Sequence, residues 1–276
     1  MRVQVLVENT SHCGGLGSEH GLSLYIETSR HKLLFDTGAS GLFSENAEQM
    51  GVDLAQVDVS VLSHGHSDHG GGIETFLRLN DKAKLYLHER VFIPHYVNRP
   101  NGEKAYIGLN QDLLPNSRFV FTEDDCLIDQ ELELFSGVKG KKLLPSGNMD
   151  LFKKVCDTYQ RDHFSHEQHL IVTQGVQTVL VSGCAHRGIV NILEYFKLKK
   201  GFYPDYVIGG LHLYNPSMKT SEKPSTVSKI ADFLLSTKAK FYTGHCTGLE
   251  AYERLKKTMG DSIRYLSTGD TFEIEP

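Results

Sequence analysis

Three histidines and an aspartate fall within six residues, His64, His66, Asp68 and His69, inside the stretch SHGHSDHGGG from Ser63 to Gly72. In an extended segment residues two apart point the same way, so His64 and His66 can approach one ion together. Gly65 between them lets the backbone pass close by. Asp68 and His69 lie a little further on and can face a second ion across a short gap. Neutral imidazoles and a carboxylate suit zinc, and also iron or manganese. A structural zinc site usually closes with four tight ligands, often including cysteine. A His/Asp set spread over two ions instead leaves positions open for water, which favours catalysis.

Six residues do not complete two coordination spheres, so the rest of the chain must supply ligands. His186 in VLVSGCAHRG, His212 in YVIGGLHLY and His245 in FYTGHCTG each follow a β-rich run and a glycine. A single histidine at a strand end is more often a hydrogen-bonded structural residue. The repeated arrangement argues for His186 and His245 as ligands, while His212 is either a ligand, a substrate contact or an acid. Arg187 follows His186 and precedes a helix start at residues 188–191, whose backbone N–H groups favour anions. It reads either as a substrate-binding cation or as a packing arginine. His20, beside Glu19 in EHGLS, either lines the mouth of a pocket or stabilises a turn.

The elements that must position these residues alternate along the chain. VQVLVEN, LSLYIE, KLLFDTG and VDVSVLSH read as strands, the last ending where the histidines begin. Helical spacing follows at residues 42–50 and in IETFLRL. HLIVTQGVQTVLVSG reads as a hairpin. GIVNILEYFKLKK, STVSKIADFLLS and TGLEAYERLKKTMG read as helices, the last with Thr247 as its N-cap, separated by the strands DYVIGG and KFYTGH. Residues of about 90–160 have weak periodicity and are expected to form an insertion, capping the site, within a single α/β domain spanning 1–276. The histidines fall just after strand ends, where α/β sheets gather their sites.

Composition bounds the partners. The formal net charge is -5, which argues against a general nucleic-acid binder but not against a small anionic substrate met by a few placed cations. No apolar run approaches the roughly 20 residues of a membrane helix. The first residues lack the apolar block of a secretory signal, so a cytoplasmic location is expected. Five cysteines, an odd count with no C-x-x-C pair, make both a disulfide framework and a four-cysteine zinc clip unexpected. The oligomeric state is left open.

HGHSDHGGG matches the His-x-His-x-Asp-His signature of the metallo-β-lactamase superfamily, and LLFDTG resembles its first motif. GCAHRG and TGHCTG resemble its later histidine motifs. More narrowly, EHGLSLYIE, HEQHL, VSGCAHRGIVNIL, GGLHL and GHCTG resemble a dihydropteroate synthase-like branch. That branch includes the dihydropterin ribofuranosylaminobenzene-phosphate synthases of methanopterin biosynthesis, alongside relatives described only as metal-dependent hydrolases. The resemblance implies a four-layer αβ/βα sandwich with mixed sheets and metals at one sheet edge. By its pattern His64, His66 and His186 would hold one ion, Asp68, His69 and His245 the other, and Asp36 would brace the metal loop. One departure stands out. The superfamily usually carries an acidic residue bridging both metals, whereas this chain has Gly209, Gly210 and His212 near that place and Cys184 two residues before His186. The bridge is either missing, leaving a mononuclear site, or replaced by His212 or Cys184.

The expected activity is that of a hydrolase using one or two divalent ions, zinc first, to activate water toward a small phosphoester-like anion. Asp68 would orient the nucleophile, and His212 would donate a proton or contact the oxyanion. A synthase of the methanopterin kind, in which the ions grip a phosphate or diphosphate, is the alternative. A non-catalytic metal-binding module is a third.

Overall fold

The computed structural model describes residues 1–275. Two seven-stranded sheets dominate it. The first runs from edge to edge through Thr271–Glu273, Arg2–Val7, Ser23–Glu27, Lys32–Phe35, Val59–Val61, Lys84–His88 and Phe119–Thr122. The second runs through Ile263–Tyr265, Lys240–Thr243, Tyr206–Ile208, Gln177–Val181, His169–Gln174, Leu132–Phe135 and Asp125–Leu127. Both sheets are mixed: each is antiparallel on one side and parallel on the other.

Strand alternation explains the layering. Leu24 and Ile26, Leu33 and Phe35, and Val59 and Val61 point inward and meet Leu170, Val172, Val179 and Val181 of the facing sheet. The intervening Tyr25 and Leu34 point outward, onto the helix Leu42–Gln49 with its Phe43 and Ala47. The second sheet turns Ile171, Leu180 and Phe241 outward against helices Ile189–Lys200, Pro224–Thr237 and Leu249–Met259. Helix, sheet, sheet and helix therefore stack in four layers, each sheet buried on both faces, as the expected αβ/βα sandwich requires.

The parallel strands do the positioning. Lys32–Phe35 and Val59–Val61 run parallel in one sheet, and Gln177–Val181, Tyr206–Ile208 and Lys240–Thr243 run parallel in the other. Parallel strands bring their C-terminal ends to a common edge. The segments leaving those ends carry Asp36, residues 63–69, residues 184–186, His212 and His245.

The expected insertion at about 90–160 divides in two. Phe119–Thr122, Asp125–Leu127 and Leu132–Phe135 are strands of the two main sheets. His95–Asn98, Lys104–Tyr106, Leu151–Val155 and Thr158–Arg161 form a separate four-stranded sheet. Short apolar stretches flanked by Pro, Asn and Asp hide their sheet membership from periodicity. Thr247 is not the cap of the helix Leu249–Met259; Gly248 occupies that place. The Thr247 hydroxyl instead accepts from the Leu211 N–H at 3.0 Å and pairs with the Thr243 hydroxyl at 2.6 Å. A side chain drawn into two buried tertiary bonds is no longer free to cap its own helix.

Candidate metal centre

Imidazoles from three segments converge at the common edge. His64 Nε2 faces His66 Nδ1 at 3.1 Å, and the His186 ring lies 4.9 Å from both rings. Beside them His69 Nε2 stands 3.1 Å from His245 Nε2, and His245 Nε2 stands 3.3 Å from Asp68 Oδ2. Cys184 Sγ, 3.1 Å from His69 Nε2, belongs to both groups. His64, His66, His69, His186 and His245 are all buried.

The donor set fits divalent metal. Zinc–nitrogen bonds of about 2.0–2.1 Å in a tetrahedron separate neighbouring donors by roughly 3.3 Å, close to the spacings above. The other ring nitrogen of four of these imidazoles is already held. His69 Nδ1 donates to Asp36 Oδ2 at 2.7 Å, and His64 Nδ1 to Ser63 Oγ at 2.9 Å. His186 Nδ1 donates to Asn148 Oδ1 at 3.1 Å, and His245 Nδ1 to Asn9 Oδ1 at 2.8 Å. Each such bond places the proton on Nδ1 and leaves Nε2 as a bare lone pair. His186 Nε2 is buried with no hydrogen-bond partner in the protein. A desolvated lone pair without a partner costs free energy unless something occupies it.

Electrostatics agree. Burial, then the crowd of neighbouring imidazoles, holds His64, His66 and His186 well below the ordinary histidine range, in the neutral form that ligates metal. His69 differs: burial pulls it down, but the Asp36 and Asp68 carboxylates outweigh this and push that ring up to about 9, so without metal its Nε2 also carries a proton, which a metal ion would displace. Burial raises Asp68, yet His69, His245 and His20 overcome this and hold it well below the usual carboxylate range.

Backbone strain marks the same residues. Asp36, Ala185, His212 and His245 adopt φ of +59°, +57°, +50° and +50°. Such left-handed conformations are uncommon away from glycine, and packing must hold them at about 1 kcal/mol or more each. Asp36 braces the loop as the resemblance implied, accepting the Ser63 N–H and Ser63 hydroxyl at 2.7 Å each. The buried Glu8 accepts from the His245 N–H and from the Tyr265 hydroxyl, which fixes the turn that carries His245.

A cavity of about 340 Å³ opens onto this cluster. His66, Asp68, Cys184, His186, His212 and Cys246 line it together with Val97, Arg99, Tyr106, Ile107, Leu151 and Asn215. His212 lies beside His186, ring centroids 4.1 Å apart, and both its ring nitrogens lack protein partners. His20 lines the cavity with Nε2 3.4 Å from Asp68 Oδ2, whereas Glu19 holds a turn by accepting from Ala39 N, Ser40 N and Ser40 Oγ.

Arg187 does not reach the cavity. Its guanidinium donates to the carbonyls of Val138, His163 and Gly140. Just ahead of the helix start at 188–191 that was expected to favour a substrate anion, the backbone N–H groups of His186 and Arg187 bind the carboxylate of Glu167 at 2.6 and 2.9 Å. The anion for that N–H pair is the protein's own. Arg99, which carried no signal in the sequence, is the cavity's only lysine or arginine among the described residues. A second cluster also escaped the sequence: Asp162 Oδ2 accepts from His95 Nδ1 at 2.8 Å and His166 Nε2 at 3.2 Å, while His166 Nδ1 accepts the Gly65 N–H at 2.9 Å. This cluster buttresses the metal loop from behind.

Fold and site together define a four-layer αβ/βα protein with a buried cluster of His, Asp and Cys donors suited to divalent metal at the sheet edge. A family model described as metallo-beta-lactamase superfamily matches residues 16–140. The chain is 26% identical over 261 residues to the uncharacterized protein MJ0448 of Methanocaldococcus jannaschii, spanning 92% of this chain and 94% of that one. It is 25% identical over 269 residues to that organism's 7,8-dihydropterin-6-methyl-4-(beta-D-ribofuranosyl)-aminobenzene-5'-phosphate synthase, spanning 91% and 89% of the two chains. The solved structure of Tm1679, described as a metal-dependent hydrolase of the beta-lactamase superfamily, superposes with a TM-score of 0.82 at 28% identity over all of both chains. The chain is thus similar to the metallo-β-lactamase superfamily by family model over residues 16–140, and to the Tm1679 structure over its whole length.

Proposed function

We propose that this chain is a metal-dependent hydrolase of a small anionic, phosphoester-like substrate, with zinc as its first-choice ion. The observation that carries the reading is the opening of the two-lobed donor cluster into a cavity whose wall holds one cation, Arg99. His64, His66 and His186 would hold one ion, and Asp68, His69 and His245 the other. Divalent metal bound there supplies Lewis acidity, lowering the pKa of water toward neutrality and offsetting charge on the substrate's oxygens.

The chain's own residues do the remainder. Asp68 Oδ2, within 3.4 Å of His20 Nε2 and 3.3 Å of His245 Nε2, would orient the attacking water by accepting a hydrogen bond from it. His212 Nε2, free of protein partners, donates a proton to the leaving oxygen. Arg99 binds the substrate's anionic group, and Val97, Ile107 and Leu151 exclude water around its body. The name of Tm1679 supports a hydrolase.

End-to-end similarity to the dihydropterin synthase supports a second reading, transfer to a carbon centre with the metals gripping a phosphate or diphosphate. Chain loaded with zinc, manganese or iron and offered phosphomonoesters, phosphodiesters, a lactam, a thioester and the pair dihydropterin diphosphate with aminobenzene-ribofuranose phosphate separates the readings. Turnover of a phosphoester, abolished in His64→Ala, is the expected result. Turnover of the pterin pair alone establishes the synthase. No turnover with any metal, and no effect of Asp68→Ala in cells, leaves a non-catalytic module.

A further inference from the structure

We propose that Cys184 supplies, as a thiolate, the ligand shared by the two lobes of the metal centre, in the role usually taken by a carboxylate. The inference rests on the metal-centre reading above and specifies its chemistry. Among the described residues, Cys184 alone belongs both to the group with His64 and His186 and to the group with Asp68, His69 and His245. Its Sγ lies 3.1 Å from His69 Nε2, and the residue is 3% exposed. The left-handed turn at Ala185 lets the chain reverse between Cys184 and His186, so both side chains reach the same space.

The place after the Tyr206–Ile208 strand is closed to an acidic residue. A Cβ on Gly209 would lie 1.8 Å from the Ser182 carbonyl oxygen, and one on Gly210 would lie 2.4 Å from Cys246 Sγ. His212 shares a group with Cys184 and Cys246 but with neither lobe. Cys246 is likewise set apart: its Sγ accepts the His212 N–H at 3.2 Å and lies 3.6 Å from the Cys184 carbonyl.

Loading would release the Cys184 thiol proton to solvent, and sulfur lone pairs would be donated to both ions. A thiolate bridge carries the same single negative charge as a carboxylate bridge, so the charge balance of the site is kept. It is a softer donor, and favours zinc, cobalt or ferrous iron over manganese or magnesium.

The test is X-ray absorption of the full-length chain loaded with two zinc ions. A shared sulfur contributes about one sulfur neighbour per zinc at ~2.3 Å, and a terminal one about half as many. Cobalt-loaded protein should show a near-ultraviolet thiolate-to-cobalt band that is retained in Cys246→Ser and lost in Cys184→Asp. The aspartate variant should still bind two ions. Two bound ions with half a sulfur or none per zinc overturn the inference and leave the metal centre standing. A single bound ion also overturns it, and a chain that binds no metal overturns both. Should Cys184→Asp fail to fold, the sulfur count on the unaltered protein decides alone.

Discussion

Asp36 offers the sharpest perturbation because it touches no proposed ligand atom and yet controls one. Its buried carboxylate accepts three hydrogen bonds, from Ser63 N, Ser63 Oγ and His69 Nδ1, each at 2.7 Å. Asp36→Ala leaves these donors unpaired in a dry interior. At about 1–3 kcal/mol for each unmade buried bond, the three together cost roughly 3–9 kcal/mol, a large part of a typical ~5–15 kcal/mol stability. Asp36→Asn is more informative. It keeps the volume, and its amide oxygen still accepts from Ser63 N. Its NH₂ group, however, faces His69 Nδ1 as a donor and requires a bare nitrogen there. The imidazole proton moves to Nε2, the atom facing His245 and Cys184, and that atom no longer ligates. Affinity for the second ion should fall about 10–100-fold, with the fold retained. Competition against a chromophoric chelator reads the affinity, and nitrogen NMR of the imidazole reads the tautomer. In metal-free protein the His69 value, about 9 beside Asp36, should fall as well. An Asp36→Asn protein that binds both ions at native affinity with the native tautomer refutes the reasoning.

Three further outcomes follow from the same geometry. Burial, ahead of any other cause, lowers His166 to about 4 and His169 to about 3, so the folded state refuses protons that the unfolded chain accepts. Metal-free stability should therefore fall below about pH 6.5, by ~1.4 kcal/mol per pH unit for each such histidine. His69 acts with the opposite sign: its contribution is complete below about pH 6.5 and is lost as pH rises through about 9. Urea midpoints that stay flat between about pH 5 and pH 9 would contradict both statements. Arg99→Met should raise KM for anionic substrates about tenfold, roughly 1.4 kcal/mol, with zinc content unchanged; an equal effect on a neutral substrate would contradict the assignment. His212→Asn should lower kcat by about 10²–10⁴ without lowering Tm, since the ring nitrogens have no partners and asparagine tolerates the left-handed backbone. A native kcat would remove His212 from the chemistry.

What the sequence reveals depends on whether the signal is local. His64, His66, Asp68 and His69 sit in one loop, and their spacing alone predicts convergence on metal; the structure sets His64 Nε2 3.1 Å from His66 Nδ1 and groups Asp68 with His69, while His66 also faces His95, Asp162 and His166. His186 and His245 lie far from that loop in sequence, but each follows a parallel strand, and the parallel register delivers both to the same edge. Strand alternation gives the four layers for a similar reason, since a two-residue period decides which face each apolar side chain enters. The failures are non-local. Arg187 beside a helix start reads as an anion site until Glu167, 20 residues earlier, is found on its N–H. Arg99, on a short strand-end turn, has no neighbour in sequence to betray the cavity it lines.

The cluster of His95, Asp162 and His166 shows why such residues stay hidden and why they matter. Their order is set by the small sheet that pairs His95–Asn98 with Leu151–Val155, not by any spacing along the chain. Once paired, Asp162 accepts from both imidazoles, so His166 presents a bare Nδ1 to the Gly65 N–H. Gly65 stands between His64 and His66, and a Cβ there would lie 2.3 Å from the Val91 carbonyl oxygen. Glycine lets the loop sink against this support, and the support fixes the two flanking imidazoles at 3.1 Å. The donor spacing displayed by six residues is therefore held by a carboxylate almost 100 residues away. A histidine-rich loop without that backing would have the same donors and much less reason to hold them in one geometry.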